Sequence, residues 1–154
     1  MIQISVLMVN VNESVIRRVS NICGNDIFMC YLKDAEKTKN LLENTHFDAV
    51  VVEYYENNKK LYTLLKDIKR KGAFTIVNSK KGELEHDLID KGLIDFYISS
   101  NSHLQIYMLL KYIIKNKKLY RKHLSLRNNF EKFCDALLTC KNPFKNCFDT
   151  SYIN

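Results

Sequence analysis

The sequence predicts an α/β fold in which five parallel strands form a doubly wound sheet and an extended helix follows at the C-terminal end. Up to about residue 100, short β-branched apolar runs alternate with segments of helical period. Crossovers of this length join parallel strands and are right-handed, so helices cover both faces of the sheet. The fifth helical segment meets no glycine or proline before Pro143, so it can continue far past the sheet.

Each predicted strand is a short apolar run that ends in polar or turn residues. The five runs cover 4–9, 27–31, 49–53, 74–77 and 96–98. The run at 49–53 is nearly continuous in apolar residues, which is typical of a strand with helices on both faces.

Helical periodicity and capping residues predict the segments between the strands. The first helix has Asn12 as its N-cap and Gly24 as its stop, the second begins after Asp34, and Gly72 and Gly92 close the next two. The apolar positions assigned to one face of the first helix are Val15, Ile16, Val19, Ile22 and Cys23.

Composition predicts a soluble protein of one domain with an appendage. The chain has 154 residues, 46% of them apolar and 27% charged, and its apolar runs are too short to span a membrane. The N-terminus lacks the features of a signal peptide, so we expect a cytoplasmic protein. Five cysteines, none in a CxxC pair, favour reduced thiols, and we expect neither a metal nor a cofactor.

The net charge of +7 comes entirely from the C-terminal third of the chain. Residues 1–100 contain 14 Lys/Arg and 14 Asp/Glu, whereas residues 101–154 contain 10 Lys/Arg and 3 Asp/Glu. The two parts are therefore expected to differ in their physical role.

The last helix carries an apolar pattern of coiled-coil spacing. Four apolar residues are predicted to face the sheet: Ile106, Leu110, Ile113 and Ile114. A 3-4 spacing of mostly apolar residues begins at Leu109 and continues to Leu137, with the polar Asn116 and His123 within it. Six residues of this pattern are predicted to form an interface: Leu109, Tyr112, Leu119, Leu126, Phe130 and Phe133. We therefore expect a domain at 1–118, a coiled-coil stalk at 119–138 that forms a homodimer, and a tail or linker at 139–154. The alternative is a helix that folds back on its own domain.

Polar residues follow the strands at the edge where α/β sheets bind their ligands. Three segments, 6–12, 47–53 and 92–100, contain strands whose ends reach this edge, and the last of them includes Gly92 and Phe96. Their order and spacing resemble the receiver domain of two-component response regulators, a fold of the flavodoxin and CheY type, over roughly residues 1–118. The resemblance implies a signalling module that contacts another signalling protein. It also permits a place as the N-terminal regulatory part of a sensor kinase or diguanylate cyclase.

The residues that carry the chemistry of that family are replaced in this sequence. The resemblance places Asn10 and Val11 at the acidic pair, Glu53 at the phosphoacceptor aspartate, Asn78 at the Thr/Ser position and Ser99 at the lysine. It also places Phe96 at the aromatic position that changes rotamer on phosphorylation.

These replacements predict a pseudo-receiver without catalytic activity. A divalent cation requires anionic oxygen ligands, which Asn10 and Val11 do not supply. Without that cation and the lysine, nothing offsets the charge of a transferring phosphoryl group. Glu53 is then either a permanent mimic of the phosphorylated state or a solvated carboxylate at a strand end, and we favour the second interpretation.

Two alternatives remain. One is an atypical active receiver that accepts phosphate on Glu53 or another carboxylate. The other is nucleic-acid binding through the basic segment 111–122, which has six Lys/Arg and no acidic residue. The solvated outer face of a coiled coil explains this segment better, so we expect no nucleic-acid partner.

Overall fold

The computed structural model describes residues 3–33, 35–53, 58–79, 86–98 and 102–139. Strands and helices alternate along these ranges. The strands are β1 (Ile4–Val9), β2 (Ile27–Leu32), β3 (Ala49–Glu53), β4 (Phe74–Asn78) and β5 (Phe96–Ile98). The helices are α1 (Glu13–Cys23), α2 (Ala35–Asn44), α3 (Asn58–Arg70), α4 (His86–Asp90) and α5 (His103–Thr139).

All five strands are parallel and lie in the order β2-β1-β3-β4-β5. Strand β3 is buried along its whole length because helices cover both faces of the sheet. The predicted fold, a five-stranded doubly wound α/β sheet with an extended C-terminal helix, is confirmed.

Two apolar clusters lie on opposite faces of the sheet. One joins β1 and β3 to α1 and to the first turns of α5, where Ile106, Leu110, Ile113 and Ile114 are buried as predicted. The other joins the sheet to α2, α3 and α4, through Leu42, Leu65, Ile68 and Leu88 among others. The two clusters therefore place α1 and the first turns of α5 on one face of the sheet and α2, α3 and α4 on the other.

The caps of α1 are the predicted ones, but one residue of its buried face is not. The Asn12 side chain accepts a hydrogen bond from the Ser14 N–H at 2.8 Å, and Gly24 at φ +54° ends the helix. Ile22, predicted to face inward, is 42% exposed because it lies at the edge of the buried face. Asp34, the predicted cap of α2, lies outside the described residues.

The chain divides into two units, and the boundary falls inside α5. The first unit reaches Lys115 and the second begins at Asn116. Among the described residues, none of the helices has both the length and the apolar character needed to cross a bilayer.

Cys23 offers a test of packing at the end of α1. It belongs to the apolar cluster that joins β1 and β3 to α1 and α5. Burial raises the pKa of its thiol, although the Lys111 ammonium opposes this change. The thiolate is the reactive form, so we expect iodoacetamide to alkylate Cys23 about tenfold more slowly than the partly exposed Cys134. Timed labelling with peptide mapping measures both rates, and equal rates would contradict the burial of Cys23.

Candidate functional site

The carboxyl ends of β1, β3 and β4 bring most of the predicted pocket to one edge of the sheet. Val9 pairs with Val52, and Glu53 pairs with Asn78 in the next ladder. Asn10 and Val11 follow β1 directly. Ser99, the remaining predicted position, lies outside the described residues.

Glu53 is a buried residue whose carboxylate is bonded to the backbone of another segment. It is 2% exposed, and its Oε2 accepts a hydrogen bond from the Asn12 N–H at 3.0 Å. The interpretation of Glu53 as a solvated carboxylate is therefore wrong. The loop that follows β1 crosses the end of β3, so the carboxylate meets a backbone donor there instead of bulk water.

The loop between β1 and α1 has a backbone that only a few residue types adopt easily. Asn10 has φ +57°, in the left-handed region, where asparagine is tolerated better than most other non-glycine residues. Its N–H donates to the Leu32 carbonyl at 2.9 Å, which ties the loop to the end of β2. After this turn Val11 enters the core and Asn12 caps the N-terminus of α1.

Asn12 connects this loop to both α1 and Glu53. Its side-chain oxygen caps Ser14, its carbonyl accepts from the N–H groups of Val15 and Ile16 at 3.0 Å, and its own N–H donates to Glu53. The carboxylate of Glu53 also lies at the start of α1, where the helix dipole favours negative charge. Glu53 thus holds the first turn of α1 against the sheet.

The described residues of this edge do not gather the oxygen ligands that a divalent cation requires. Val11, 1% exposed, packs in the apolar cluster at a position where the resemblance would require a carboxylate. Within the described part of the chain, no group of three or more His, Cys, Asp or Glu side chains is arranged to hold a metal ion. Asn78 and Ser79 are also buried, and the Ser79 N–H donates to the Ile98 carbonyl at 2.9 Å.

An open cleft of about 510 Å³ lies beside this edge, and sequence reasoning did not anticipate it. Its lining residues are Asn10, Val11, Asn12, Glu13, Tyr31 and Lys33. The Lys33 Nζ lies 3.1 Å from the Glu13 carboxylate, and the hydrogen bond to Glu13 raises the pKa of Lys33. The feature that could have predicted the cleft is the position of β2 next to β1 in the sheet. The last residues of these two strands, Val9 and Leu32, are paired.

Phe96, the predicted aromatic switch position, lies among other aromatic rings. Its ring centroid is 6.3 Å from that of Phe74 and 5.8 Å from that of Tyr112, with the second pair edge to face. Its side chain is partly buried against the cluster beside α5. The structure therefore gives Phe96 a packing role, and its rotamer exchange stays a prediction.

The six predicted interface residues of α5 fall into two groups. Leu109 packs partly against the core of the first unit, and Tyr112 contacts Phe96. The other four lie in the second unit and are exposed, from 47% for Leu119 to 66% for Phe130, with Leu126 and Phe133 between these values. We call these four residues (Leu119, Leu126, Phe130 and Phe133) the seam.

No protein-family model matches the sequence, and no curated protein is significantly similar to it. Solved structures are similar in fold. The signal receiver domain of an HD domain-containing protein from Pseudomonas fluorescens Pf-5 is 18% identical, with a TM-score of 0.62 over 75% of this chain and 98% of that chain.

Two further structures give the same result. The signal receiver domain of a putative Luxo repressor protein from Vibrio parahaemolyticus is 13% identical, with a TM-score of 0.63 over 78% of this chain and 96% of that chain. A response regulator from Thermotoga maritima is 20% identical, with a TM-score of 0.59 over 74% and 99%. This chain has the fold of receiver domains.

Proposed function

We propose that this protein is a pseudo-receiver, a signalling module with the receiver fold that acts by protein contact without phosphorylation or catalysis. The observation that carries the proposal is the buried Glu53 carboxylate bonded to the Asn12 N–H. It stands where the resemblance places the phosphoacceptor, and its oxygen is engaged in holding the loop before α1.

The chemistry around Glu53 supports this proposal. Transfer of a phosphoryl group needs a cation that neutralises the charge on its oxygens, and a hard divalent ion needs oxygen ligands. Val11 is apolar and buried, and Ser99 stands in the sequence where the family has its lysine. The Glu53 Oε2 already accepts a hydrogen bond from the Asn12 N–H, which holds this carboxylate toward the loop before α1. The arrangement therefore suits a fixed structure better than an acceptor.

Phosphorylation is tested directly by incubation with magnesium and acetyl phosphate, followed by intact mass measurement. We expect the wild type to gain no phosphoryl group. The control is the variant that restores the family residues, Asn10→Asp, Val11→Asp, Glu53→Asp and Ser99→Lys, provided its circular dichroism spectrum matches the wild type. A reproducible gain of one phosphoryl group by the wild type would establish the alternative, an active receiver.

The proposed output of the module is its last helix. We assign residues 1–118 to the receiver-like domain, 119–138 to a helical stalk and 139–154 to a tail or linker. The exposed seam supports this assignment because Leu and Phe side chains at heptad spacing are typical of helix–helix contacts. The apolar pattern alone allows either a second copy, as in the predicted homodimer, or a helix of another protein to cover the seam.

A further inference from the structure

The seam is an apolar surface that the described residues of the second unit leave exposed. All four of its side chains are large, and each is at least 47% exposed. They lie at positions a and d of one heptad register, with Phe130 at a and the other three at d. Such a stripe is typical of a surface that another helix covers.

The positions that flank the seam are basic or neutral. In this register the g positions from 115 to 136 are Lys115, Lys122, Asn129 and Ala136, and the e positions from 120 to 134 are Tyr120, Arg127 and Cys134. Residues 116–139 contain six Lys/Arg and two Asp/Glu in all. The flanks of a coiled coil select its partner by charge, so this surface selects for carboxylates.

A second copy does not provide those carboxylates. In a parallel pair, Lys122 would lie beside Arg127 of the second copy, whose guanidinium is already paired with Glu131, so the second copy offers Lys122 no free carboxylate. In either orientation the second helix brings the same excess of positive charge. Of the two acidic residues, Glu131 already bonds to the Arg127 Nε at 2.8 Å within the same helix.

We propose that the seam binds an acidic amphipathic helix of another protein, with apolar residues at a and d and Glu or Asp at e and g. The proposal rests on one part of the proposed function, namely that the module contacts its partner through α5. A nucleic acid would also attract the lysines, but its phosphates would leave the four apolar side chains uncovered. An acidic amphipathic helix would cover the four apolar side chains of the seam and would place carboxylates beside its basic flanks.

The test uses the full chain and two synthetic four-heptad peptides. Both peptides have Leu at a and d; one has Glu at e and g, and the other has Lys. Like charges at e and g keep each peptide from pairing with itself. A gain in far-ultraviolet ellipticity when a peptide is mixed with the full chain therefore reports helix formation on binding. We expect the Glu peptide to bind about tenfold more tightly than the Lys peptide, as calorimetry would measure.

Three variants separate the charge from the apolar contact. Lys115→Glu with Lys122→Glu should reverse the preference, and Leu126→Lys with Phe130→Lys should abolish binding of the Glu peptide. Arg17→Glu with Arg18→Glu on α1 makes the same change in net charge on exposed residues and should leave the preference unchanged.

Three results would overturn the proposal: equal binding of both peptides, a wild-type dimer at tens of micromolar in sedimentation velocity, or tighter binding of duplex DNA than of the Glu peptide. The phosphorylation experiment is independent of all three. A gain of phosphate together with selective binding of the Glu peptide would refute the pseudo-receiver and leave the acidic partner in place.

Discussion

Replacement of Glu53 by alanine is expected to lower the free energy of unfolding by about 1.5–3 kcal/mol, which is typical for the loss of a hydrogen bond to a charged group. The substitution removes the acceptor of the Asn12 N–H and leaves a gap at the end of β3. It also removes a negative charge from the start of α1. All three effects act in the same direction.

Urea denaturation followed by circular dichroism measures this loss. Glu53→Gln keeps the size of the side chain and an oxygen acceptor, so it should lose less stability than Glu53→Ala. Glu43→Ala on the exposed face of α2 is the matched control and should change stability by less than about 0.5 kcal/mol. A Glu53→Ala variant as stable as the Glu43→Ala variant would show that the Asn12 bond does not stabilise the fold.

Hydrogen exchange gives a local measure of the same bond. In Glu53→Ala the exchange of the Asn12 amide should accelerate by more than the loss of global stability explains. Amides in the buried strand β3 should accelerate only by the amount that this loss explains. Equal acceleration of all amides would indicate a general loss of stability without a specific effect on the loop.

The framework of this fold was predictable because each strand is a local pattern. Strands β1, β3 and β5 have the predicted bounds, since apolar runs such as Ala49–Glu53 end at polar or turn residues. The inward positions of α5 were likewise predictable from helical spacing. Ile22 was not, because a residue at the edge of a helical face is decided by what packs beside it.

The environment of Glu53 depends on contacts that no local pattern contains. Its partner, Asn12, is 41 residues away in sequence, and the approach of the two depends on the left-handed turn at Asn10. Sequence reasoning identified Asn12 as the cap of α1 and Glu53 as a strand end, but did not connect them. The cleft beside Lys33 was missed for the same reason, since it needs β2 to lie next to β1.

A pair of leucines on α5 provides the second large expected effect. Leu110 is fully buried in the apolar cluster that joins α5 to α1 and the sheet, whereas Leu126 in the seam is 57% exposed. Leu110→Ala is therefore expected to lower the free energy of unfolding by about 2–5 kcal/mol, because it removes buried methyl groups and leaves a cavity. Leu126→Ala should change stability by less than about 0.5 kcal/mol.

The comparison separates folding from partner binding within one helix. Both variants are measured by urea denaturation at two protein concentrations, since a seam that joins two copies would make the loss from Leu126→Ala depend on concentration. We expect no such dependence, because the Lys and Arg flanks oppose a second copy. A large loss from Leu126→Ala at low concentration would mean that the seam packs within its own chain, and the helix would then be part of the fold instead of its output surface.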